Sequence, residues 1–376
     1  MLGRCHEDER LTACAQWLAE DHSAILRRMA SWCTCPTDAN IFRFLALERE
    51  ISMRFVAGLC ALLLAVVTGH AAVASPEGKR VMLLGTANTN PYIGAWTSTF
   101  TNFATQAGMK VTNLSSNYDA AVQSQQVDDA IAQKFDLIAV VYVNDQAIIP
   151  ALTRAKAAGI PVVLIVTPLK KEYEELFTSY IGTDHAELGR LAAEGMVKGL
   201  QAESKMKAQV VAVTGVAQQL NVQTRMAAFK EVLAKHPGVE LVASEDGKWN
   251  TAMTEKITGE LLVRFSGRGG IDGIFAMADN QATGSIQAVE SAGLKLGVAN
   301  NGIVVVASNC MKDGMVHIKS GQQYATATQI PTEEAEVAAK KIAGYFNGQK
   351  LQKYELVPVH GITKDNLAQF EAGCSY

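Results

Sequence analysis

Beyond Lys79 the chain alternates short apolar, β-branched runs with longer stretches whose apolar positions return every three or four residues. The runs are VMLLGT from Val81, KVTNLSS from Lys110, LIAVVYV from Leu137, VVLIVT from Val162, QVVAVTG from Gln209, GVELVAS from Gly238, GIFAMAD from Gly273, IVVVAS from Ile303 and ATATQI from Ala325. Several are apolar throughout, as strands of a parallel sheet covered on both faces should be. Between them, Val222, Met226, Phe229, Val232 and Leu233 share one helical face, and Ala338, Ile342, Tyr345 and Phe346 share another. Strand, helix, strand, repeated, predicts an α/β fold of doubly wound parallel sheets. Ligands of such sheets bind beyond the carboxyl ends of the strands, so the residues that follow each run are where chemistry is expected.

Upstream the pattern changes. From Met53 the chain reads MRFVAGLCALLLAVVTGHAAVASPEGKR, with Arg54 at the start, an apolar run from Phe55 to Val67 and the small residues Ala72, Val73 and Ala74. That order is a secretory signal with its cleavage site. The run is shorter than the roughly 20 apolar residues a membrane span needs. Residues 53–74 are therefore expected to be a signal peptide, with translation from Met53, a mature start at Ser75 and a periplasmic product. Cys60 lies inside the apolar run without a small residue before it, so lipidation is not expected. Residues 1–52 carry no core-sized apolar pattern and are expected to be an upstream extension. Their Cys5, His6, Cys14, Cys33 and Cys35 lack the C-x2-C spacing of zinc sites, and Arg27 with Arg28 is too little for a basic recognition helix.

Composition narrows the classes. The net charge of −3 supplies no positive field for nucleic acid, and 48% hydrophobic residues fill sizeable cores. Removing the signal leaves 376 − 74 = 302 residues, a length that suggests two domains. Of seven cysteines, the mature part keeps Cys310 and Cys374, a sparse usage compatible with an oxidising compartment. There is no G-x-S-x-G, H-E-x-x-H or P-loop, and GRGGIDG from Gly267 precedes a strand, the wrong side for a dinucleotide loop. The expectation is a non-enzyme without a cofactor or metal.

The order of five segments is more specific. NTNPYIGAW after the first strand, AAGIPVVLI from Ala157, NVQTRMAAF from Asn221, FAMADNQATGSIQAVESAG from Phe275 and TATQIPTEEAEVAAKKIAGYFNGQK from Thr326 together resemble the periplasmic sugar-binding proteins of ABC importers, the group that includes ribose-binding protein. The resemblance covers Lys79 to about Asn366. It implies two doubly wound lobes joined by a three-segment hinge, residues 75–182 with 330–358 and residues 183–329 with 359–376. It also implies a monomer that closes on a small sugar or polyol and delivers it to a membrane permease. Carried over by motif, the cleft residues are Asn90, Tyr92, Arg225, Trp249 in EDGKWN, Asp279, Asn309 and Gln329. Amides, acids and a guanidinium suit hydroxyls that donate and accept, and Tyr92 with Trp249 would sandwich a ring from opposite lobes. Under the same reading Cys310 and Cys374 both lie toward the second lobe, where a bridge is one open pairing.

The chain also departs from the group. Where ribose binders carry an Asp-Arg pair after the fourth strand, it has Val166 and Thr167, and Asn309 stands for a strand-end Asp. Fewer charges imply a less hydroxylated ligand, with Thr167 at the wall and Tyr142 and Asn144 after the third strand as partial compensation. Asp184, with Glu187 three residues on, reads as a helix cap, and His185 reads as solvated. Three other readings stay open: a periplasmic receptor for a chemosensor or kinase, a binder of a non-sugar small molecule, and a lactose-repressor-like regulator, against which the signal at Met53 argues.

Overall fold

The wholly apolar runs become the interiors of two six-stranded sheets in the structure, a computed structural model that describes residues 75–376. The expected signal peptide at 53–74 and the extension at 1–52 lie outside the described residues. The first sheet contains β1 (Arg80–Gly85), β2 (Lys110–Ser115), β3 (Leu137–Val140), β4 (Val162–Ile165), β5 (Ser179–Thr183) and, from far along the chain, β11 (Tyr354–Val357). Its order is β11-β5-β4-β3-β1-β2, all parallel. The second contains β6 (Ala208–Thr214), β7 (Val239–Asp246), β8 (Gly273–Ala276), β9 (Val304–Val306), β10 (Ala325–Ala327) and β12 (Gly361–Thr363). Its order is β12-β10-β9-β8-β6-β7, with β12 antiparallel to β10.

Helices cover both faces of each sheet, which is why β1, β3, β4, β8 and β9 are apolar on both sides. In β1, Val81 and Leu83 pack with Trp96 and Phe100 of helix α1 (Pro91–Gln106). Met82 and Leu84 face the other way, onto Val127 of α2 (Ala120–Ala132) and Ile148 of α3 (Asp145–Ala157). In the second lobe Val210 and Ala212 pack with α4 (His185–Ala202) and α5 (Leu220–Leu233), and Val211 and Val213 pack with α6 (Thr251–Ser266) and α7 (Asp279–Ser291). Two helices remain, α8 (Lys312–Ser320) in the second lobe and α9 (Pro331–Phe346), which returns to the first and packs on α1. Among the described residues no helix is long and apolar enough to cross a membrane.

The chain passes between lobes after β5, after β10 and after β11. The last two crossings are tied together: the Thr328 N–H donates to the His360 carbonyl and the His360 N–H to the Thr328 hydroxyl, each at 2.8 Å. Strands β5, β11 and β12 are absent from the apolar-run reading. SYIGT of β5 is buried throughout despite two polar residues and a glycine, YELV of β11 is a half-exposed edge, and β12 is three residues long, so none presents a hydrophobic run. Cys310 and Cys374 are bridged, with Cα atoms 5.1 Å apart.

Candidate functional site

A cavity lies between the lobes, lined by residues that immediately follow strands of both sheets: Thr86 after β1, Val141 after β3, Val166 and Thr167 after β4, Ala278 after β8. Its volume is about 60 Å³, where roughly 10–15 Å³ admits one water. It therefore has room for about four to six water-sized bodies, the scale of a small polyol. Backbone strain concentrates on its wall. Of the ten described non-glycine residues with positive φ, four line the cavity: Tyr118 (62°), Val166 (63°), Trp249 (57°) and Asn309 (94°). For a β-branched valine this conformation costs on the order of 1–3 kcal/mol, a cost that persists where surrounding structure over-determines it and that concentrates at functional sites.

Seven of the expected residues meet here. Asn90 caps α1: its Oδ1 accepts from the Tyr92 and Ile93 N–H groups, and its Nδ2 donates to the Tyr118 hydroxyl at 3.3 Å. Tyr92 places its ring in the wall and donates its hydroxyl to Glu334 at 2.5 Å. Burial pushes the Glu334 carboxyl up to about 7. Thr167 lines the wall beside Val166, and Trp249 lines it from the second lobe, donating its indole N–H to Gln219 Oε1 at 2.8 Å. The close seat of that indole requires a residue without a side chain beneath it: a Cβ on Gly215 would stand 1.9 Å from the ring. Gln329 follows β10 in the second crossing, and Asn309 follows β9.

Arg225 is the centre of the site. It is 1% exposed, and it is brought in because α5 approaches α4 at Gly189, where a Cβ would lie 2.1 Å from the Arg225 carbonyl. Its guanidinium donates to Gln329 Oε1 at 2.5 Å, Asn309 Oδ1 at 3.4 Å, the Met277 carbonyl at 3.2 Å and His185 Nδ1 at 3.3 Å. No carboxylate lies within ion-pair distance of it among the described residues, and burial lowers its pKa to about 10.

The structure corrects four expectations. Asp279 is fully buried away from the cavity, at the first turn of α7, where it accepts from the Met311 N–H, the Gln323 amide and the Thr326 hydroxyl. Its neighbours Ala278 and Asn280 line the wall instead, since successive residues at a helix start point in different directions. Tyr142 is packed in the first lobe's core and donates its hydroxyl to the Pro168 carbonyl at 2.6 Å. Asn144 caps α3 through the Ala147 N–H and is not in the wall. His185 is not solvated: it is 3% exposed, and its Nε2 lies 2.6 Å from the Val166 carbonyl. A carbonyl only accepts, so Nε2 carries the proton, and Nδ1 is free to accept from Arg225. Asp184 does cap α4, through the Ala186 and Glu187 N–H groups. Tyr118, Gln219, Asn221 and Asn280 also line the cavity and were not singled out from the sequence. Each sits at a strand-to-helix junction, the signal that could have found it, but many junctions look alike in sequence.

Burial and the adjacent guanidinium hold the His185 imidazole down to about 3, against an ordinary 6.5. Below pH 6.5 the unfolded chain takes up this proton while the folded chain does not, so the stability it contributes is complete above pH 6.5 and is lost as pH falls toward 3. The wild type is expected to lose about 2 kcal/mol more than His185→Gln between pH 7 and pH 5, measured by urea unfolding at both. Glu334 and Asp279, raised by burial, act in the opposite sense but are common to both chains. Parallel pH curves for the two proteins would remove His185 from the account.

Two α/β lobes, three crossings and a small polar cavity at the facing strand ends define a two-lobed ligand-binding protein. The chain belongs to the periplasmic binding protein family: the "Periplasmic binding protein domain" matches residues 81–350. It is similar to a xylitol-binding protein of Mycolicibacterium smegmatis, 26% identical over 253 residues, covering 67% of this chain and 68% of the relative. It is also similar to the ribose import binding protein RbsB of Bacillus subtilis, 24% identical over 270 residues, covering 72% of this chain and 82% of the relative. In fold it matches the periplasmic component of the arabinose ABC transporter of Shewanella sp. ANA-3, bound to L-arabinofuranose. That match has a TM-score of 0.71 and 24% identity, covering 77% of this chain and 94% of the other.

Proposed function

We propose that the protein is a solute-binding protein, not an enzyme, that captures a small sugar or polyol between its lobes and delivers it to the membrane permease of an ABC importer. In this reading it is exported by the segment from Met53, works as a monomer in the periplasm, and hinges between residues 75–182 with 330–358 and residues 183–329 with 359–376. The observation that carries the reading is the cavity itself: it has the scale of one small polyol, and it takes its wall from both lobes, with Asn90, Tyr92 and Thr167 from the first and Arg225, Trp249, Asn309 and Gln329 from the second and its crossing. The xylitol and ribose binders among its relatives support the ligand class. A few hinge residues suffice to close such lobes.

A thermal-shift screen of sugars, deoxysugars, polyols and non-sugar metabolites on the chain from Ser75 tests it, because a ligand of the folded state stabilises by RT ln(1 + [L]/Kd). No shift with any member of the screen would overturn the reading. Val166 offers no side-chain hydrogen bond, and a site loses much affinity for a hydroxyl left unpaired. Ribose, galactose and glucose are accordingly expected to bind at least about tenfold more weakly than the best hit in isothermal titration. Submicromolar ribose binding would contradict the inference drawn from Val166.

A further inference from the structure

The polar groups of the cavity are unequal in kind. None of the residues that line it is an Asp or Glu, and Arg225 is the one cation. Because a guanidinium only donates, it forces Asn309 and Gln329 to turn their side-chain oxygens toward it. Asn221 turns its oxygen to the Val222 N–H, at 3.0 Å. The amide N–H groups of these three residues then have no protein partner among the described residues. The reverse holds at one place only: Asn280 donates to the Trp249 carbonyl at 3.0 Å and keeps its oxygen free. The wall thus presents a cluster of donors around a positive charge, with a single free amide oxygen, that of Asn280, and the hydroxyls of Thr86, Tyr118 and Thr167, which serve either way.

We propose that the ligand carries a carboxylate, a sugar acid or polyhydroxy acid whose anionic group faces Arg225, Asn309 and Gln329 while a hydroxyl donates to Asn280. A hydroxyl must place a hydrogen as well as accept one, and beside Arg225 the side-chain oxygens of Asn309 and Gln329 each already accept from the guanidinium. A carboxylate brings acceptors alone and supplies a countercharge in contact with a guanidinium that otherwise feels only Glu334, held behind Tyr92 beyond ion-pair distance. This inference rests on the reading of the cavity as a ligand site and narrows the class of its ligand.

Isothermal titration with two matched pairs, xylonate against xylitol and erythronate against erythritol, tests it, with sodium acetate as the bare carboxylate. The expected result is that at least one acid binds tenfold or more tightly than its own polyol and more tightly than acetate. A polyol that binds as well as its acid overturns the inference and leaves the binding-protein reading standing. Silence from all five, together with an empty thermal-shift screen, overturns both; silence from all five beside a neutral hit in the screen overturns the carboxylate alone. Asn309→Asp, at a left-handed position that Asp tolerates, gives the second readout. It puts an acid beside Arg225 and is expected to abolish the preference for the acid by tenfold or more; an unchanged ratio with a normal melting curve counts against the assignment.

Discussion

Arg225→Ala is expected to raise the Kd of the best ligand at least about tenfold, since one charge-assisted hydrogen bond is worth about 1.5–3 kcal/mol and 1.4 kcal/mol is a decade in Kd. The effect on the unliganded fold is expected to be smaller and of mixed sign. Removing the guanidinium leaves the Met277 carbonyl and the oxygens of Asn309 and Gln329 without their donor, at about 1–3 kcal/mol, but it also removes a buried cation with no carboxylate at ion-pair distance among the described residues. Titration of the variant beside its ligand-free melting curve separates the two effects. Unchanged affinity would make Arg225 a packing residue that happens to line the wall.

Replacing both bridged cysteines by serine is expected to cost about 2–4 kcal/mol of stability. The bridge closes a loop with a sequence separation of 64, for which the chain-entropy account gives about 4 kcal/mol, and measured values fall at or below such figures. In a domain of this size that is roughly 4–10 °C in Tm. The consequence reaches the cavity, because Cys310 follows Asn309, and the last residue, Tyr376, is held two positions beyond Cys374. The Tyr376 hydroxyl donates to the Asn309 carbonyl at 2.6 Å, and its ring stands edge-on to Tyr92 with centroids 6.3 Å apart. The double variant is therefore expected to bind ligand more weakly as well as melt earlier. A Tm within a degree of the wild type, under non-reducing conditions, would show that the bridge does not constrain the unfolded chain in this way.

The site was partly legible in the sequence, and the reasons divide by residue. Asn90, Tyr92, Arg225 and Gln329 sit in segments whose order carries the family resemblance, Trp249 and Asn309 sit between such segments, and all six reach the cavity wall. Asp279 belongs to such a segment too, yet its carboxyl is turned to Met311, Gln323 and Thr326, partners that lie 32 to 47 residues away along the chain. A one-residue change of direction at the start of a helix exchanges an acid for the Asn280 amide in the wall, and no local pattern reports it. His185 reads as a solvated neighbour of a cap because its partners, Val166 and Arg225, come from different lobes.

What the sequence by itself determined is the architecture: apolar runs with no polar alternation can be buried only between two helical layers, and their repetition with amphipathic helices leaves a doubly wound sheet as the arrangement that covers both faces. Which residues face the ligand, and the balance of donors and acceptors they present, only the tertiary structure decided. An amide side chain is symmetric in shape and opposite in hydrogen-bonding sense at its two ends, so Asn309 and Gln329 become donors to the cavity only once Arg225, delivered by another helix, has taken their oxygens.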